Sequence, residues 1–316
     1  MKTLILGARG QLGRAFAESE TLRSRGPVVL ATRDGAMAGM APTEVADLAE
    51  PETLTALLDR VHPDLIINAA AYTAVDRAEA EEVLATIING EAPGVIGRWA
   101  AAHGALVVHY STDYVFDGNA DRPYSTDTAP APLNAYGRSK LLGEQTLRRS
   151  GASHFIFRTA WVYSAHGNNF FRTMLRLARE REELRVVGDQ CGTPTTTDLI
   201  VDASLAAIDM WQKTPAHQRH LLSGTEHLVA GGSTSWHGFA TAIMEEAVAQ
   251  GLLPAPGPRI IPVGTKDYPT PAKRPAWSVL DSSGFSQRFG VTLPDWRAGL
   301  NKVINELHLE ANEKSC

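Results

Sequence analysis

Cysteine is scarce in this sequence, and long apolar runs are missing from it. The two cysteines, Cys191 and Cys316, lie far apart in the chain. Two isolated thiols provide neither a disulfide framework nor the spacing of a metal site, which fits a reducing compartment. No stretch of about 18 apolar residues predicts a transmembrane helix, and the start of the chain does not predict a signal peptide. We therefore expect a cytoplasmic protein without a membrane partner.

Charge of one sign is not in large excess either. The sequence has 30 Lys and Arg residues against 35 Asp and Glu residues, so its formal net charge is -5. This mild acidity is ordinary for an enzyme and argues against general binding to nucleic acid or anionic lipid. The 316 residues, of which 44% are hydrophobic, suffice for one large or two modest domains with buried cores.

Short apolar runs alternate with helical patterns in the first half of the chain. This alternation indicates an α/β fold with a doubly wound parallel sheet of the Rossmann type. We predict strands at residues 3–6, 28–32, 65–68, 106–110 and 155–159. We predict helices between them at residues 11–23, 52–60, 79–103 and 135–149.

The pattern becomes less regular after about residue 160. Residues 170–183 and 238–251 are typical of helices, and the proline-rich stretches 254–262 and 269–275 are typical of ordered loops that carry binding residues. We expect residues 1–160 to form the dinucleotide-binding domain and residues 161–316 to form mainly a smaller α/β substrate-binding domain. A return of residues 195–225 to the first domain stays open.

Three glycines near the N-terminus follow a predicted strand and precede a predicted helix. Gly7, Gly10 and Gly13 have the spacing that short-chain dehydrogenases use for a tight turn and close approach of the backbone to a pyrophosphate. The helix N-terminus supplies amide donors for the same anion. We predict that these glycines, with Gln11 and Leu12, bind a dinucleotide; a turn used only for packing is the alternative.

The second predicted strand ends where such folds hold the adenosine ribose. Thr32 stands at the usual position of an acid, and Arg33 follows it. A hydroxyl and a cation suit a 2′-phosphate better than a free 2′-hydroxyl, so the pattern favours NADPH over NADH. Alternatively, Arg33 is a solvated loop charge and Asp34 reaches the ribose. Further cofactor contacts are predicted at Asp47, Leu48, Ala69, Ala70 and Ala71.

Tyr136 and Lys140 lie four residues apart on a predicted helix and hence on one face. Reduction of a carbonyl needs a proton for its oxygen, and tyrosine has a pKa of about 10. A nearby ammonium is expected to lower that pKa and to hydrogen-bond the nicotinamide ribose. At the end of a predicted strand, Thr112 is the expected third catalytic residue, with Ser111 as the alternative. A surface helix with chance spacing is the competing interpretation.

These motifs, and others along nearly the whole chain, resemble the dTDP-4-dehydrorhamnose reductase family. The matching segments are residues 7–13, 68–76, 110–116, 132–137, 158–163, 167–170, 189–195, 268–272 and 274–275. The resemblance implies reduction of the C4 ketone of dTDP-4-dehydro-β-L-rhamnose, the last step of dTDP-L-rhamnose synthesis. It implies Tyr136 as the acid, Lys140 as its modulator and Thr112 as a further modulator. The substrate contacts that it implies are Thr112, Asp113, Tyr114, Trp161 and Arg274, the last either on the diphosphate or an ordinary surface charge.

The sequence departs from the family pattern at two positions. Members that use Mg²⁺ at a dimer contact carry a glutamate where this chain has Ala15. Asp198 and Glu306 could stand for other acids of that cluster, but a hard cation needs several oxygen ligands. We therefore assign no metal-binding residues, and the pattern disfavours metal-assisted dimerisation, while Mg²⁺ binding itself stays open. Trp277 replaces an asparagine of the family pattern. The oligomeric state, a homodimer or otherwise, stays open.

Two other functions remain compatible with the sequence. Another NAD(P)-dependent nucleotide-sugar reductase or an epimerase would share the glycine turn and the Tyr136–Lys140 pair. A non-catalytic, reductase-like regulatory subunit is the second alternative, which the retention of both residues disfavours.

Overall fold

The computed structural model describes residues 1–37 and 43–313, so Cys316 lies outside the described residues. Its strands are β1 Thr3–Leu6, β2 Val28–Thr32, β3 Glu44–Val45, β4 Leu65–Asn68, β5 Leu106–Thr112, β6 Ser153–Thr159, β7 Val162–Tyr163, β8 Glu183–Val187, β9 Cys191–Gly192, β10 Thr195–Thr196, β11 Gly224–His227, β12 Thr234–Ser235 and β13 Arg259–Val263. Its α-helices are α1 Gln11–Glu18, α2 Glu20–Arg23, α3 Pro51–Val61, α4 Val75–Ala78, α5 Glu82–Thr86, α6 Ala92–His103, α7 Ala135–Arg149, α8 Phe170–Glu180, α9 Thr197–Lys213, α10 Trp236–Ala249, α11 Ser283–Phe289 and α12 Trp296–Glu313.

A parallel sheet of seven strands organises the larger layer. Its order is β11-β6-β5-β4-β1-β2-β3, and every neighbouring pair in it is parallel. The strand order reverses at β1 and β4, and ligands of open α/β sheets bind beyond the carboxyl ends of strands at such a point. The predicted Rossmann-type α/β fold is confirmed.

Helices cover both faces of this sheet, which explains why its central strands are apolar along their whole length. One face packs against α1, α9 and α11 through residues such as Phe16, Ile208 and Phe285. The other face packs against α3, α6 and α7 through residues such as Leu57 and Ile96. Among the described helices, none is both long and apolar enough to cross a membrane.

A smaller layer lies beyond the carboxyl ends of the sheet strands. It contains α8, α10 and α12, which share one apolar core around Phe171, Phe239 and Leu300. Three two-stranded pairs border it, namely β7 with β10, β9 with β12 and β8 with β13.

The chain returns to the larger layer after the first strands of the smaller one. Helix α9 packs on the same core as α1, and β11 pairs in parallel with β6. The seven-stranded sheet therefore contains a strand that lies far beyond residue 160 in sequence.

The predicted helix over residues 11–23 is broken in two. Ser19 is extended, and its hydroxyl accepts a hydrogen bond from the backbone of Leu22, which starts α2. The predicted helix over residues 170–183 ends at Glu180, because Arg181 is extended and Glu183 begins β8.

The helix predicted over residues 79–103 begins later, at Glu82. From there α5, a π-helical turn at Ile87–Glu91 and α6 follow one another without a break to His103, and α4 is a separate short helix before them. Asn89 in that turn donates from its side chain to Tyr72 and Ser139, while Pro93 removes a backbone donor from the first turn of α6.

We predicted a loop over the proline-rich stretch 254–262, but only part of it is one. Its end forms β13, which runs parallel to β8. A proline within it, Pro262, is tolerated because β13 is one edge of a two-stranded pair.

Candidate active site

The glycine turn after β1 forms a cradle that a larger residue would fill. Gly7 has a φ of +77°, and a Cβ on it would lie 2.6 Å from the Cα of Ala70. A Cβ on Gly13 would lie 2.2 Å from the Gly7 carbonyl oxygen. Helix α1 begins directly after Gly10, and no side chain caps its first turn. The bare backbone and the free amides fit a pyrophosphate, as predicted for a dinucleotide.

Gln11 and Leu12 start α1, but their side chains are occupied within the protein. The Gln11 amide oxygen accepts a hydrogen bond from the Asn169 side chain at 2.7 Å, and its nitrogen donates to the Asn168 carbonyl at 3.3 Å. Leu12 packs against the core of the α1 face. Gln11 therefore ties the loop before α8 to the glycine turn, and only its backbone remains for an anion.

Two arginines and one carboxylate meet at the carboxyl end of β2. Thr32 is buried and donates to Asp34 at 3.2 Å. Arg9, from the glycine turn, donates to both oxygens of Asp34 at 2.8 and 3.0 Å. The backbone N–H of Ala36 and then Arg9 hold the pKa of Asp34 below its usual value. Arg33 is exposed and forms no hydrogen bond or ion pair within the described part of the chain.

Sequence reasoning missed Arg9 in this group. The position of Arg9 between two glycines of a phosphate turn, where it has no apolar surface to cover, was a sign of a binding role. Its partner could not be predicted, because the ion pair joins residues at two different strand ends and depends on the β1–β2 pairing.

The other predicted cofactor residues lie along the same sheet edge. Asp47 follows β3 and accepts a hydrogen bond from the Ala49 backbone at 2.9 Å, and Leu48 is buried. Ala69 donates its backbone N–H to the Leu6 carbonyl at 3.1 Å. Ala70 and Ala71 continue from the end of β4, and small side chains leave the crevice open there.

Helix α7 brings its first turn against the end of β5. Asn134 caps this helix by accepting a hydrogen bond from the Gly137 backbone at 2.8 Å. A Cβ on Gly137 would lie 2.2 Å from the Tyr114 carbonyl oxygen, so only glycine allows this approach. The approach places the Tyr136 and Tyr114 rings edge to face, with centroids 5.9 Å apart.

Tyr136 and Lys140 lie together on α7, and both pKa values are shifted by burial. Burial raises the pKa of Tyr136 to about 12, while its hydrogen bond with Thr112 acts in the opposite direction. Burial lowers the pKa of Lys140 to about 8, against the effect of the Glu144 charge. The expected lowering of the tyrosine pKa by Lys140 is therefore wrong, since desolvation outweighs the neighbouring groups.

Thr112 and Asp113 lie beside the phenol. The Thr112 hydroxyl donates to Asp113 at 2.9 Å and accepts from the Tyr114 backbone at 3.1 Å. Burial raises the pKa of Asp113 to about 6. One oxygen of that carboxyl, Oδ2, has no hydrogen-bond partner among the described residues. Thr112, Asp113 and Tyr136 thus form a small polar group at a buried strand end.

Ser111, the alternative to Thr112, has its hydroxyl directed elsewhere. It donates to Glu144 at 2.6 Å inside the protein. Neighbouring residues of a strand point to opposite faces, so only Thr112 interacts with Tyr136. Sequence reasoning missed Glu144, which lies four residues after Lys140 on the same helix face.

Trp161 lies just beyond β6 in a left-handed backbone conformation with a φ of +48°. Its ring stacks on Trp236 with centroids 3.5 Å apart and an angle of 5° between the planes. Sequence reasoning missed Trp236, because nothing local links it to Trp161.

Arg274 is paired with a carboxylate of the protein itself. It donates to both oxygens of Asp76 at 3.0 and 2.8 Å, and it is partly buried. This interaction lowers the pKa of Asp76 and fixes the loop of residues 269–275 against α4.

A cavity of about 850 Å³ adjoins Arg274 and Trp236. Phe170 lies on its wall, and two further arginines, Arg181 and Arg185, lie on it as well. Both of these arginines are exposed, and neither forms an ion pair with a described residue. An apolar wall with uncompensated cations suits an organic anion.

The residues near Ala15 do not fit a Mg²⁺ ion. Asp198, one of the acids considered above, is bound to the Lys302 ammonium at 2.7 Å. Glu306 lies 3.5 Å from the His166 ring. No group of three metal-binding side chains occurs within residues 1–37 and 43–313. A lysine thus supplies positive charge where Mg²⁺ would need oxygen ligands.

Comparisons with known proteins found similar sequences and structures. The model of the RmlD substrate binding domain family matches residues 1–309. A dTDP-4-dehydrorhamnose reductase of Burkholderia thailandensis is 45% identical over 308 residues, which are 97% of this chain and 99% of the relative.

Two solved structures of dTDP-4-dehydrorhamnose reductases are similar over their whole length. The protein from Clostridium acetobutylicum has a TM-score of 0.84 at 33% identity, covering 97% of this chain and 99% of that one. The protein from Bacillus anthracis, in complex with NADP, has a TM-score of 0.82 at 32% identity, covering 96% and 99%.

Proposed function

Because the chain belongs to the RmlD substrate binding domain family, we propose that it reduces the C4 ketone of dTDP-4-dehydro-β-L-rhamnose to dTDP-L-rhamnose with NADPH or NADH. This is the last step of dTDP-L-rhamnose biosynthesis. The observation that carries the proposal is the meeting of Tyr136, Thr112 and Lys140 beside the glycine cradle at the switch point of the sheet. These groups combine a proton donor, a partner for it and a buried cation.

The nicotinamide cofactor belongs at the carboxyl edge of the sheet. Gly7, Gly10 and Gly13 would hold its pyrophosphate, while Asp47, Leu48 and residues 69–71 border the rest of the crevice. When bound in its reduced form, it supplies a hydride for the carbonyl carbon.

NADPH is the proposed preference, carried by Arg9 and Arg33 beside Thr32. Asp34 opposes a 2′-phosphate, but its charge is already compensated by Arg9. The exposed Arg33 then adds a second positive charge at the same strand end.

Tyr136 delivers the proton to the carbonyl oxygen. With a pKa of about 12, its phenol is protonated near neutral pH. An alkoxide is a far stronger base than a phenolate, as the pKa of about 15.7 for bulk water illustrates, so the transfer is favourable. Thr112 orients the phenol, and its hydrogen bond favours the phenolate that remains, while the Lys140 ammonium would hydrogen-bond the nicotinamide ribose.

The sugar nucleotide is placed between Tyr136 and the cavity, whose wall includes Trp236, the stacking partner of Trp161. Thr112, Asp113 and Tyr114 would contact the sugar, because they adjoin Tyr136. The charge of Arg274 is compensated by Asp76, so we assign the diphosphate chiefly to Arg181 and Arg185, with Arg274 as a neutralised neighbour.

We assign two domains, one for the cofactor and one for the substrate. Residues 1–160, joined by α9, β11 and α11, form the cofactor domain, and the rest of residues 161–316 forms mainly the substrate domain. Limited proteolysis with and without NADPH tests this division, since the cofactor should protect only the first group of segments.

The direct test supplies the purified chain with enzymatically prepared dTDP-4-dehydro-L-rhamnose and follows the absorbance of NADPH and, separately, NADH. We expect oxidation of the cofactor and formation of dTDP-L-rhamnose, identified by NMR. Tyr136→Phe is the matched control for background oxidation. Absence of oxidation with both cofactors would overturn the proposal. Cofactor retained through gel filtration without net oxidation would favour an epimerase.

A further inference from the structure

Trp236 lies outside the polar group at the end of β5, yet it contacts a residue that borders the substrate side. Thr112 pairs with Thr159 across β5 and β6, and Trp161 follows two residues later. Trp161 is therefore at the same sheet edge as Tyr136. This inference rests on the proposed function, because it takes Trp161 as a wall of the sugar site.

The backbone of Trp161 is strained, so its position needs support from its surroundings. A φ of +48° is rare for a bulky residue other than glycine, because the Cβ approaches the neighbouring carbonyl. Such strain persists only where the contacts around a residue hold it in place, and it is frequent at functional sites.

The contacts around Trp161 leave its ring little freedom. The face-to-face stack on Trp236, with centroids 3.5 Å apart, occupies one side. Gly192 lies so close that a Cβ on it would be 2.5 Å from Cε2 of the indole. The Trp161 carbonyl accepts a hydrogen bond from the Thr195 backbone at 3.3 Å.

Trp236 is itself firmly placed. It is the first residue of α10, whose N-terminus is capped by Ser235. Its ring also meets that of Phe170, with centroids 4.6 Å apart. Both Phe170 and Trp236 line the cavity of about 850 Å³.

From this arrangement we propose that Trp236 is a positioning residue: its indole fixes the plane of Trp161 and thereby shapes the sugar site next to Tyr136. Trp236 acts through Trp161 rather than on the reacting atoms. Its loss should weaken binding of the sugar nucleotide without changing the chemical step or the affinity for NADPH.

The test compares Trp236→Leu and Trp236→Phe with the native chain. Stacked indoles give a coupled pair of circular dichroism bands, which both variants should lose. We expect Trp236→Leu to raise the KM for the sugar nucleotide about tenfold with little change in kcat. Trp236→Phe retains an aromatic ring, so its KM should lie close to the native value. Trp99→Phe, which removes a tryptophan packed on His103 away from the site, should change neither readout.

Gly192→Ala provides a second perturbation in case Trp236→Leu does not fold. The added methyl would lie 2.5 Å from Cε2 of the Trp161 indole and displace it, so the coupled bands should weaken and the KM should rise as well. An unchanged KM in Trp236→Leu despite loss of the coupled bands, or in Gly192→Ala despite their weakening, would overturn the positioning role.

Calorimetric titration with dTDP-L-rhamnose separates this inference from the proposed function, because binding does not require turnover. Weaker binding by Trp236→Leu than by the native chain supports the role of Trp236 even if the native chain oxidises no NADPH. Equal binding by the two chains, or no binding by the native chain, refutes it.

Discussion

Replacement of Lys140 by methionine should stabilise the fold while it abolishes reduction. The lysine side chain is only 2% exposed, and its ammonium forms no hydrogen bond with a described residue. Methionine has a similar length and no charge, so it fills the same space without desolvating a cation. The variant loses the ammonium that we assign to the nicotinamide ribose.

The size of the effect follows from the pKa of Lys140, which burial lowers from 10.5 to about 8. At about 1.36 kcal/mol per pKa unit, this interval sets an upper bound of roughly 3 kcal/mol on the stabilisation. Below pH 8 both the folded and the unfolded chain are protonated, so the full cost of the buried charge is present. Between pH 8 and 10.5 only the unfolded chain keeps the proton, so native stability rises with pH and the advantage of the variant shrinks.

Urea denaturation of both chains at about pH 7 and about pH 9.5 measures this difference. Lys213→Met, at the exposed end of α9, is the matched control and should change stability by less than about 0.5 kcal/mol. A Lys140→Met chain that is no more stable than the native one near neutral pH refutes the argument. A stability advantage of Lys140→Met that grows with pH refutes it as well.

Three further predictions concern the site. Tyr136→Phe should lower kcat by about two to four orders of magnitude and leave NADPH affinity, measured by fluorescence titration, nearly unchanged; equal turnover would remove Tyr136 from the mechanism. Arg33→Ala should weaken NADPH more than NADH in competition assays, and an unchanged preference would refute the assignment of that charge. Neither EDTA nor added Mg²⁺ should alter activity or the mass measured by light scattering, since Lys302 already binds Asp198; a chain that dissociates in EDTA would contradict this.

The sequence was informative where structure depends on short segments. Helix α7 spans the predicted residues 135–149 because Asn134 caps its N-terminus and the basic residues in its last turn stabilise its C-terminus. The glycine turn, with β1 before it and α1 after it, was equally local. The family resemblance is confirmed by the matches reported above.

What could not be predicted depends on pairs that are remote in sequence. Arg9 meets Asp34 only because β1 and β2 are adjacent, and Trp236 meets Trp161 only because β12 pairs with β9. The π-helical turn within residues 82–103 contains Asn89, whose side chain bonds to α7 and to a residue after β4. None of these contacts leaves a periodic signal in the sequence.

The face of α7 that carries Tyr136 and Lys140 continues one turn further to Glu144, and this explains how Lys140 remains available. Both oxygens of the Glu144 carboxylate are occupied, by Arg158 at 2.8 and 2.7 Å and by Ser111 at 2.6 Å. The carboxylate therefore helps to keep Lys140 charged from a distance but has no free oxygen with which to bind it. A buried ammonium with no protein acceptor is costly in the free chain, and the same ammonium can donate fully to a ribose hydroxyl when the cofactor arrives. The stability lost at Lys140 and the binding function that we assign to it thus have one physical origin.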